Sequence, residues 1–181
     1  ISDTANLFGA LEFSESISSV GTQPIIGTQI NIKYKDYYGL IPLIAKNYIG
    51  YKNIIELSSK SYLENDSTHA PHCNFEDLID LRDGIIILSG SINSLSGNLF
   101  NKGLLDEVTS IYKTLSNNIS DNFFIEIQRH NDANEKQFEN YNLEQSKILN
   151  LPIIATHEVF YIDKSMHEAH DALMCIGKKT Y

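Results

Sequence analysis

LPIIATHEVFYIDKSMHEAHDALMCI, residues 151–176, carries the clearest fold signal in the chain. Its apolar start, residues 152–156, is typical of a short strand buried on both faces. The polar residues that follow are expected at the C-terminal end of that strand, where parallel barrels place their chemistry. After Asp163 the apolar spacing predicts an amphipathic helix. Potential metal ligands crowd this unit: His157, Glu158, His167, Glu168, His170 and Asp171.

Length and composition describe one globular domain. The chain has 181 residues, of which 42% are hydrophobic and 20% are charged. Its net charge of −9 disfavours a nucleic-acid-binding surface, so we expect little direct contact with DNA. Cys73 and Cys175 form no CxxC pair and are expected to be buried, reduced thiols of a cytoplasmic protein. The sequence contains neither an apolar run of the ~18 residues that a membrane span needs nor a basic signal-peptide start.

Strand and helix patterns alternate along the chain. Apolar spacing predicts helices over residues 6–19, 48–63, 75–81, 104–115 and 134–149. Short apolar or alternating runs predict strands over residues 24–32, 40–46, 84–90 and 122–130. Pro42 favours an edge or bulged position for the second of these strands. The alternation predicts βα units and a largely parallel sheet, either a barrel or a doubly wound sheet.

In a barrel, the C-terminal ends of the strands would meet at one rim. The polar side chains expected there are Asp3, Gln29, Ser91, Gln128, His130, His157 and Glu158. A multinuclear metal site needs several converging His and carboxylate ligands, and Gln29 and Ser91 are poor ligands. The spacing leaves two interpretations open, a metal site and a hydrogen-bonded polar rim, and it favours the second.

Other candidate sites have weaker signals. His69, His72 and Cys73 resemble half of a zinc site, but no second ligand pair follows at a zinc-finger interval. Glu126 and Arg129 are predicted to form a salt bridge at a strand end rather than an acid–base pair. The motifs GxGxxG, GxxxxGK[ST] and GxSxG are absent from the sequence, so phosphate-loop and serine-hydrolase functions have no support.

Several segments resemble, in the same order, segments of one known family. ISDTANLFGALEF (residues 1–13) resembles TDHGNLFGALEF, and QPIIGTQINI (23–32) resembles a KPIIGxE strand. GIIILSGS (84–91) resembles GLIALSGC, and FFIEIQRH (123–130) resembles FYLELQRH. LPIIATHEVFYI (151–162) resembles IPLVATNDVHYL, and EAHDALMCIGKKT (168–180) resembles EAHDALLCIQTGKT. The chain is therefore similar to the PHP (polymerase and histidinol phosphatase) domain of bacterial DNA polymerase III alpha subunits. That resemblance implies an α/β fold, the distorted TIM-like barrel of the PHP family, incomplete at the N-terminus.

The sequence departs from that family at the positions that form its metal site. The family's His, Glu, His, Cys, Asp and His correspond here to Thr4, Gln29, Leu40, Ser91, Glu158 and Phe160. His130 of the QRH motif is kept. The resemblance therefore implies a degenerate metal site, with vestigial rim positions at Asp3, Gln29, Ser91, His130 and Glu158. We expect no catalytic residue and no cofactor. If the site does bind a metal, the expected ion is zinc or manganese.

The resemblance also implies a role in DNA replication. We expect residues 1–181 to form a single PHP-like domain fragment without the family's first strand–helix unit or units. Its unclosed barrel would expose strand edges, so the isolated fragment is expected to associate or to be marginally stable. The expected partners are the remainder of the polymerase chain, the proofreading exonuclease and other replicase subunits.

Two functions follow from the resemblance. The favoured one is a structural platform that docks the exonuclease within a DNA-directed DNA polymerase, with no nucleotidyl transfer assigned to this chain. The alternative is a metal-dependent phosphoesterase or 3′–5′ exonuclease that uses Asp3, His130, His157 and Glu158.

Overall fold

The computed structural model describes residues 1–65, 70–119 and 121–180. The strands of these ranges are β1 (Ser2–Thr4), β2 (Gly27–Tyr34), β3 (Tyr37–Ala45), β4 (Cys73–Asn74), β5 (Ile85–Leu88), β6 (Phe123–Ile127) and β7 (Ile153–Ala155). The helices are α1 (Ala10–Ser19), α2 (Tyr48–Leu63), α3 (Phe75–Asp80), α4 (Leu95–Asn101), α5 (Leu105–Ile119), α6 (Glu135–Leu149) and α7 (His167–Lys178). A 3-10 turn, Lys164–Met166, precedes α7. None of the helices described is long and apolar enough to cross a membrane.

The strands form one mixed sheet in the order β1-β2-β3-β5-β6-β7, with β4 paired to β2. Strands β1 and β2, β5 and β6, and β6 and β7 pair in parallel. Strands β1 and β7 stand at opposite ends of this order, yet β1 and residues 156–160, directly after β7, line one cavity. The sheet is therefore curled into a half-barrel, and the predicted α/β class is confirmed.

Strand β3 departs from the predicted βα alternation, because it follows β2 directly and runs antiparallel to both of its neighbours. A two-residue turn, Lys35 and Asp36, joins β2 to β3, and so short a connection permits only antiparallel pairing. The predicted edge position of Pro42 is wrong, since β3 lies between β2 and β5. Pairing with β5 begins only at Leu43, so Pro42 sits beyond the ladder on that side and its missing N–H is tolerated there.

One apolar core lies between the sheet and the helices. Its fully buried side chains include Ile32, Leu43, Ile54, Leu57, Ile87, Tyr112 and Phe123. Helix α2 has the predicted bounds, whereas α1 begins four residues later than predicted. The Asn6 side chain accepts a hydrogen bond from the Phe8 amide, and this local turn competes with helix formation there. A further helix, α4, lies between the predicted strand at 84–90 and the predicted helix at 104–115.

The C-terminal segment is less buried than the sequence predicts. Ile153 is 46% exposed, and α7 has no buried residue. The prediction of a strand buried on both faces is wrong, because two residues of β7 are exposed and the third is only partly buried. The predicted burial of Cys175 is also wrong: it lies on α7, which has no buried residue, and is partly exposed.

The cysteine–histidine segment before α3 belongs to the core rather than to an exposed loop. Cys73 is buried and donates a hydrogen bond from its Sγ to the Leu57 carbonyl at 3.0 Å. Burial raises the pKa of the Cys73 thiol to about 12. The His72 Nδ1 lies 2.9 Å from the Ala70 carbonyl, and the His72 ring packs edge-on against Tyr38. His69, the other member of the candidate zinc string, lies outside the described residues.

Candidate functional site

A cavity of about 790 Å³ opens at one rim of the half-barrel. The parallel strands β1, β2, β6 and β7 run in the same direction, so their C-terminal ends meet there. Antiparallel β3 contributes alternate residues of its length instead, and these are Leu40, Pro42 and Ile44. The cavity is thus built by the curl of the sheet.

The structure brings most of the sequence-predicted rim positions to this cavity. Its lining includes Asp3, Thr4, Gln29, Leu40, Ser91, Gln128, His157, Glu158 and Phe160. His130 does not line the cavity itself. Its ring stacks on that of His157, which does, with centroids 4.3 Å apart and planes 15° apart. The His130 Nε2 also lies 3.2 Å from the Gln128 Oε1. All five vestigial positions therefore lie in or next to one cavity.

Glu126 is a buried carboxyl of this cavity that the sequence analysis did not assign to the site. It is only 3% exposed, and its Oε1 accepts hydrogen bonds from Gln128 Nε2 at 3.0 Å and from Thr156 Oγ1. Its Oε2 is buried and has no hydrogen-bond donor among the described residues. Burial raises the pKa of Glu126, and the hydrogen bonds from Thr156 and Gln128 oppose this effect without cancelling it.

The predicted salt bridge between Glu126 and Arg129 is wrong. Arg129 binds Glu139 of α6 instead, with an Nη2–Oε1 distance of 2.6 Å and an Nε–Oε2 distance of 3.0 Å. Side chains along a strand alternate between faces, so residues three apart point in opposite directions, whereas Glu126 and Gln128 share a face. The alternation of side chains along the predicted strand could therefore have placed Glu126 on the same face as Gln128 from the sequence alone.

The residues of the cavity do not fit a multinuclear metal centre. In residues 1–65, 70–119 and 121–180, no group of three or more His, Cys, Asp or Glu side chains is arranged to hold a metal ion. The carboxylates Asp3, Glu126 and Glu158 come from three separate strands or strand ends. Leu40 and Phe160, which line the same cavity, offer no electron pair to a cation.

We expect Glu126→Gln to flatten the pH dependence of stability. Because burial raises the folded-state pKa of Glu126 above its ordinary value of 4.5, the folded chain holds this proton more tightly than the unfolded chain. The resulting stabilisation is fully present below the unfolded-state pKa and is lost as the pH rises through the folded-state pKa. The native chain should therefore lose free energy of unfolding relative to Glu126→Gln as the pH rises from below the ordinary value of 4.5 to neutral pH.

Urea denaturation of both chains across that pH range measures the difference, with the exposed Glu56→Gln as the matched control. A constant difference between native and Glu126→Gln chains at all pH values would contradict the raised pKa.

Known proteins resemble this chain along nearly its whole length. The family model of the PHP domain matches residues 1–130. The DNA polymerase III subunit alpha of Rickettsia felis is 37% identical over 178 residues, which cover 98% of this chain and 15% of the relative. The corresponding subunits of Caulobacter vibrioides and Vibrio cholerae are 32% and 30% identical, covering 100% and 97% of this chain but 16% and 15% of those proteins. The chain thus spans about 15% of the length of the curated relatives it matches. The family predicted from the sequence is confirmed: the chain belongs to the PHP domain family, in the form found in DNA polymerase III alpha subunits.

Proposed function

We propose that this chain is a structural platform within a bacterial replicative DNA polymerase and that it docks the proofreading exonuclease during DNA replication. The observation that carries the proposal is the similarity to DNA polymerase III alpha subunits over 98% of the chain. The net charge of −9 also fits a domain that contacts protein subunits rather than the DNA backbone.

Exposed apolar surface supports a role in assembly. Phe8, Leu11, Ile162, Leu173 and Ile176 are between 65% and 92% exposed. They lie in or beside α1 and α7, the first and last helices described. Several exposed large apolar side chains on or near one helix are typical of surfaces that other protein parts cover. We therefore assign to both helices a part in contacts with the remainder of the polymerase or with its subunits.

We further propose that the metal site of the family is degenerate in this chain. Hydrogen bonds between side chains take the place of metal ligation in joining the strands at the rim. Thr156, directly after β7, binds Glu126 of β6, and the Gln128 Nε2 binds the Thr156 Oγ1 at 3.0 Å. Apolar Leu40 and Phe160 also lower the local polarity, which raises the free energy of holding a divalent ion there.

A metal-dependent phosphoesterase or 3′–5′ exonuclease is the second candidate. The observation that favours it is that Asp3, His157 and Glu158 line one cavity, with His130 stacked on His157. The two functions differ in their need for metal, and this difference can be measured.

Calorimetric titration with zinc and with manganese compares the native chain with the triple variant Leu40→His, Phe160→His and Gln29→Glu. We expect no micromolar binding by the native chain, and at most weak binding by the triple variant because Thr4 and Ser91 still leave the ligand set incomplete. Micromolar or tighter binding by the native chain would contradict the degenerate site.

Assembly is tested by mixing the chain with the proofreading exonuclease subunit in gel filtration, with and without a chelator. The platform function predicts a complex that the chelator does not dissociate. Manganese-dependent hydrolysis of a phosphodiester substrate that is abolished in Asp3→Asn would favour the enzyme instead.

A further inference from the structure

Helix α2 carries two stripes of side chains, and only one of them is covered. The covered stripe packs on strands β2, β3, β4 and β5, and its members are Gly50, Ile54, Leu57 and Ser61. The other stripe, which we call the outer stripe, is exposed and consists of Tyr48, Lys52, Ile55, Ser59 and Tyr62. We propose that the outer stripe packs against the outer stripe of a second copy of this chain, with the two α2 helices antiparallel.

The spacing of the outer stripe is the first observation. Its members follow one another at alternating intervals of four and three residues, as residues at a contact between two helices do. Tyr48 is 74% exposed, Ile55 40% and Tyr62 54%, and the adjoining Ile49 and Leu63 are 59% and 82% exposed. Five large apolar side chains along one face of a 16-residue helix form a patch, whereas scattered exposed apolar residues are ordinary.

The order of residue types is the second observation, because it is nearly the same in both directions. Ile55 lies seven residues from Tyr48 and seven from Tyr62. A second copy related by a two-fold axis at Ile55 therefore places Tyr48 opposite Tyr62 at both ends of the contact. The Tyr62 hydroxyl donates to the Ala5 carbonyl at 3.0 Å, which holds this ring in place before any partner arrives. Tyrosine is enriched at the energetically dominant positions of protein interfaces.

Charge complementarity favours a second copy as the partner. Lys52 and Glu56 are exposed on either side of Ile55, and neither forms a salt bridge among the described residues. The Lys52 ammonium lies 5.9 Å from the centre of the Tyr48 ring. In the antiparallel pair, Lys52 of one copy and Glu56 of the other are about 3 Å apart along the helix axis, so two ion pairs cross the interface. A parallel pair would instead place like charges together.

The strength of this contact is limited by its area. Helix α2 is about 24 Å long, so one pair of such helices falls at the low end of specific interfaces. We expect a dimer with a Kd on the order of 0.1 mM. Sedimentation velocity of the 181-residue chain from about 10 µM to about 1 mM should show the average mass rising toward that of a dimer. A monomer at every concentration would overturn the inference.

Ile55→Asp places a charge on the two-fold axis and should weaken the dimer at least about tenfold. The matched control is Ile148→Asp on α6, since Ile148 is 64% exposed and lies outside the outer stripe, and it should leave the dimer unchanged. A dimer that persists unchanged in Ile55→Asp would assign association to another surface, such as a strand edge, and overturn the inference.

A charge exchange tests the antiparallel arrangement and uses two exposed positions, so it does not depend on the folding of Ile55→Asp. Lys52→Glu should weaken the dimer several-fold, because it faces Glu56 of the other copy with a like charge, and adding Glu56→Lys should restore it. Failure of the double variant to restore the dimer would contradict the antiparallel pairing. Circular dichroism checks that each variant is folded.

The exonuclease subunit provides the last comparison. Binding of that subunit by a chain that stays monomeric, and loss of this binding in Ile55→Asp but not in Ile148→Asp, would assign the outer stripe to the exonuclease and overturn the second copy. A dimer that forms with the expected dependence on Ile55 supports the inference whether or not the exonuclease binds elsewhere.

Discussion

Replacing Gly50 with alanine is expected to lower the free energy of unfolding by about 3 kcal/mol or to prevent folding. Gly50 lies in the first turn of α2, where the helix rests on the residues that lead into β5. A Cβ atom at Gly50 would lie 1.8 Å from the Gly84 carbonyl oxygen and 2.3 Å from its carbonyl carbon. Backbone atoms cannot rotate aside as a flexible side chain can. Gly84 is itself constrained, with φ at +72° and the Asn47 side chain against it.

Urea denaturation followed by circular dichroism measures this change, and Gly177→Ala is the matched control. Gly177 also lies in a helix, α7, but a Cβ atom there would meet no heavy atom within 4 Å. Its replacement should be neutral or should stabilise the chain by about 0.5–1 kcal/mol, as alanine does in an open helical position. Equal effects of the two substitutions would contradict the close packing of α2 on β5.

Phe123→Ala is expected to lower the free energy of unfolding by about 3–5 kcal/mol, the usual range for truncation of a fully buried aromatic ring. Phe123 begins β6, pairs with Ile87 of β5, and has no exposed surface. Its ring packs against that of Tyr112 on α5, with centroids 5.7 Å apart. The truncation would therefore leave a cavity between the sheet and α5, on the strand that positions Glu126.

Thermal and urea unfolding of Phe123→Ala should be compared with those of Phe8→Ala. Phe8 is 90% exposed, so its removal should change the free energy of unfolding by no more than about 0.5 kcal/mol. A loss of less than about 1 kcal/mol in Phe123→Ala would be inconsistent with the packing of β6 against α5.

The predictions from the sequence differ most from the structure where contacts between distant segments decide how an element is placed. Helix α2 was predicted with its observed bounds, because its apolar stripe and its cap are local features and Asn47 accepts a hydrogen bond from the Gly50 amide. Strand β7 was predicted from its apolar composition, but its exposure depends on which elements cover it. The direction of β3 follows from the two-residue turn that joins it to β2, which apolar patterning alone did not reveal. Amino-acid composition predicts neither the exposure of β7 nor the direction of β3.

The same division applies to the candidate site. The order of the motifs identified the family, and the substitutions at Thr4, Gln29 and Leu40 pointed to a weakened metal site before any geometry was known. Strand parity relates Glu126 to Gln128, but its other partner, Thr156, is 30 residues away in the sequence and is brought to it only by the pairing of β6 with β7.

By itself, the sequence determined the type of most elements and the family, since these follow from periodicity and from residue identity at single positions. Only the tertiary structure decided that Glu126 is buried with an unpaired oxygen, that Arg129 turns away from it to Glu139, and that the rim positions share one cavity. The reason is that burial and hydrogen-bond pairing arise only when the curl of the sheet brings together residues that are far apart in the sequence.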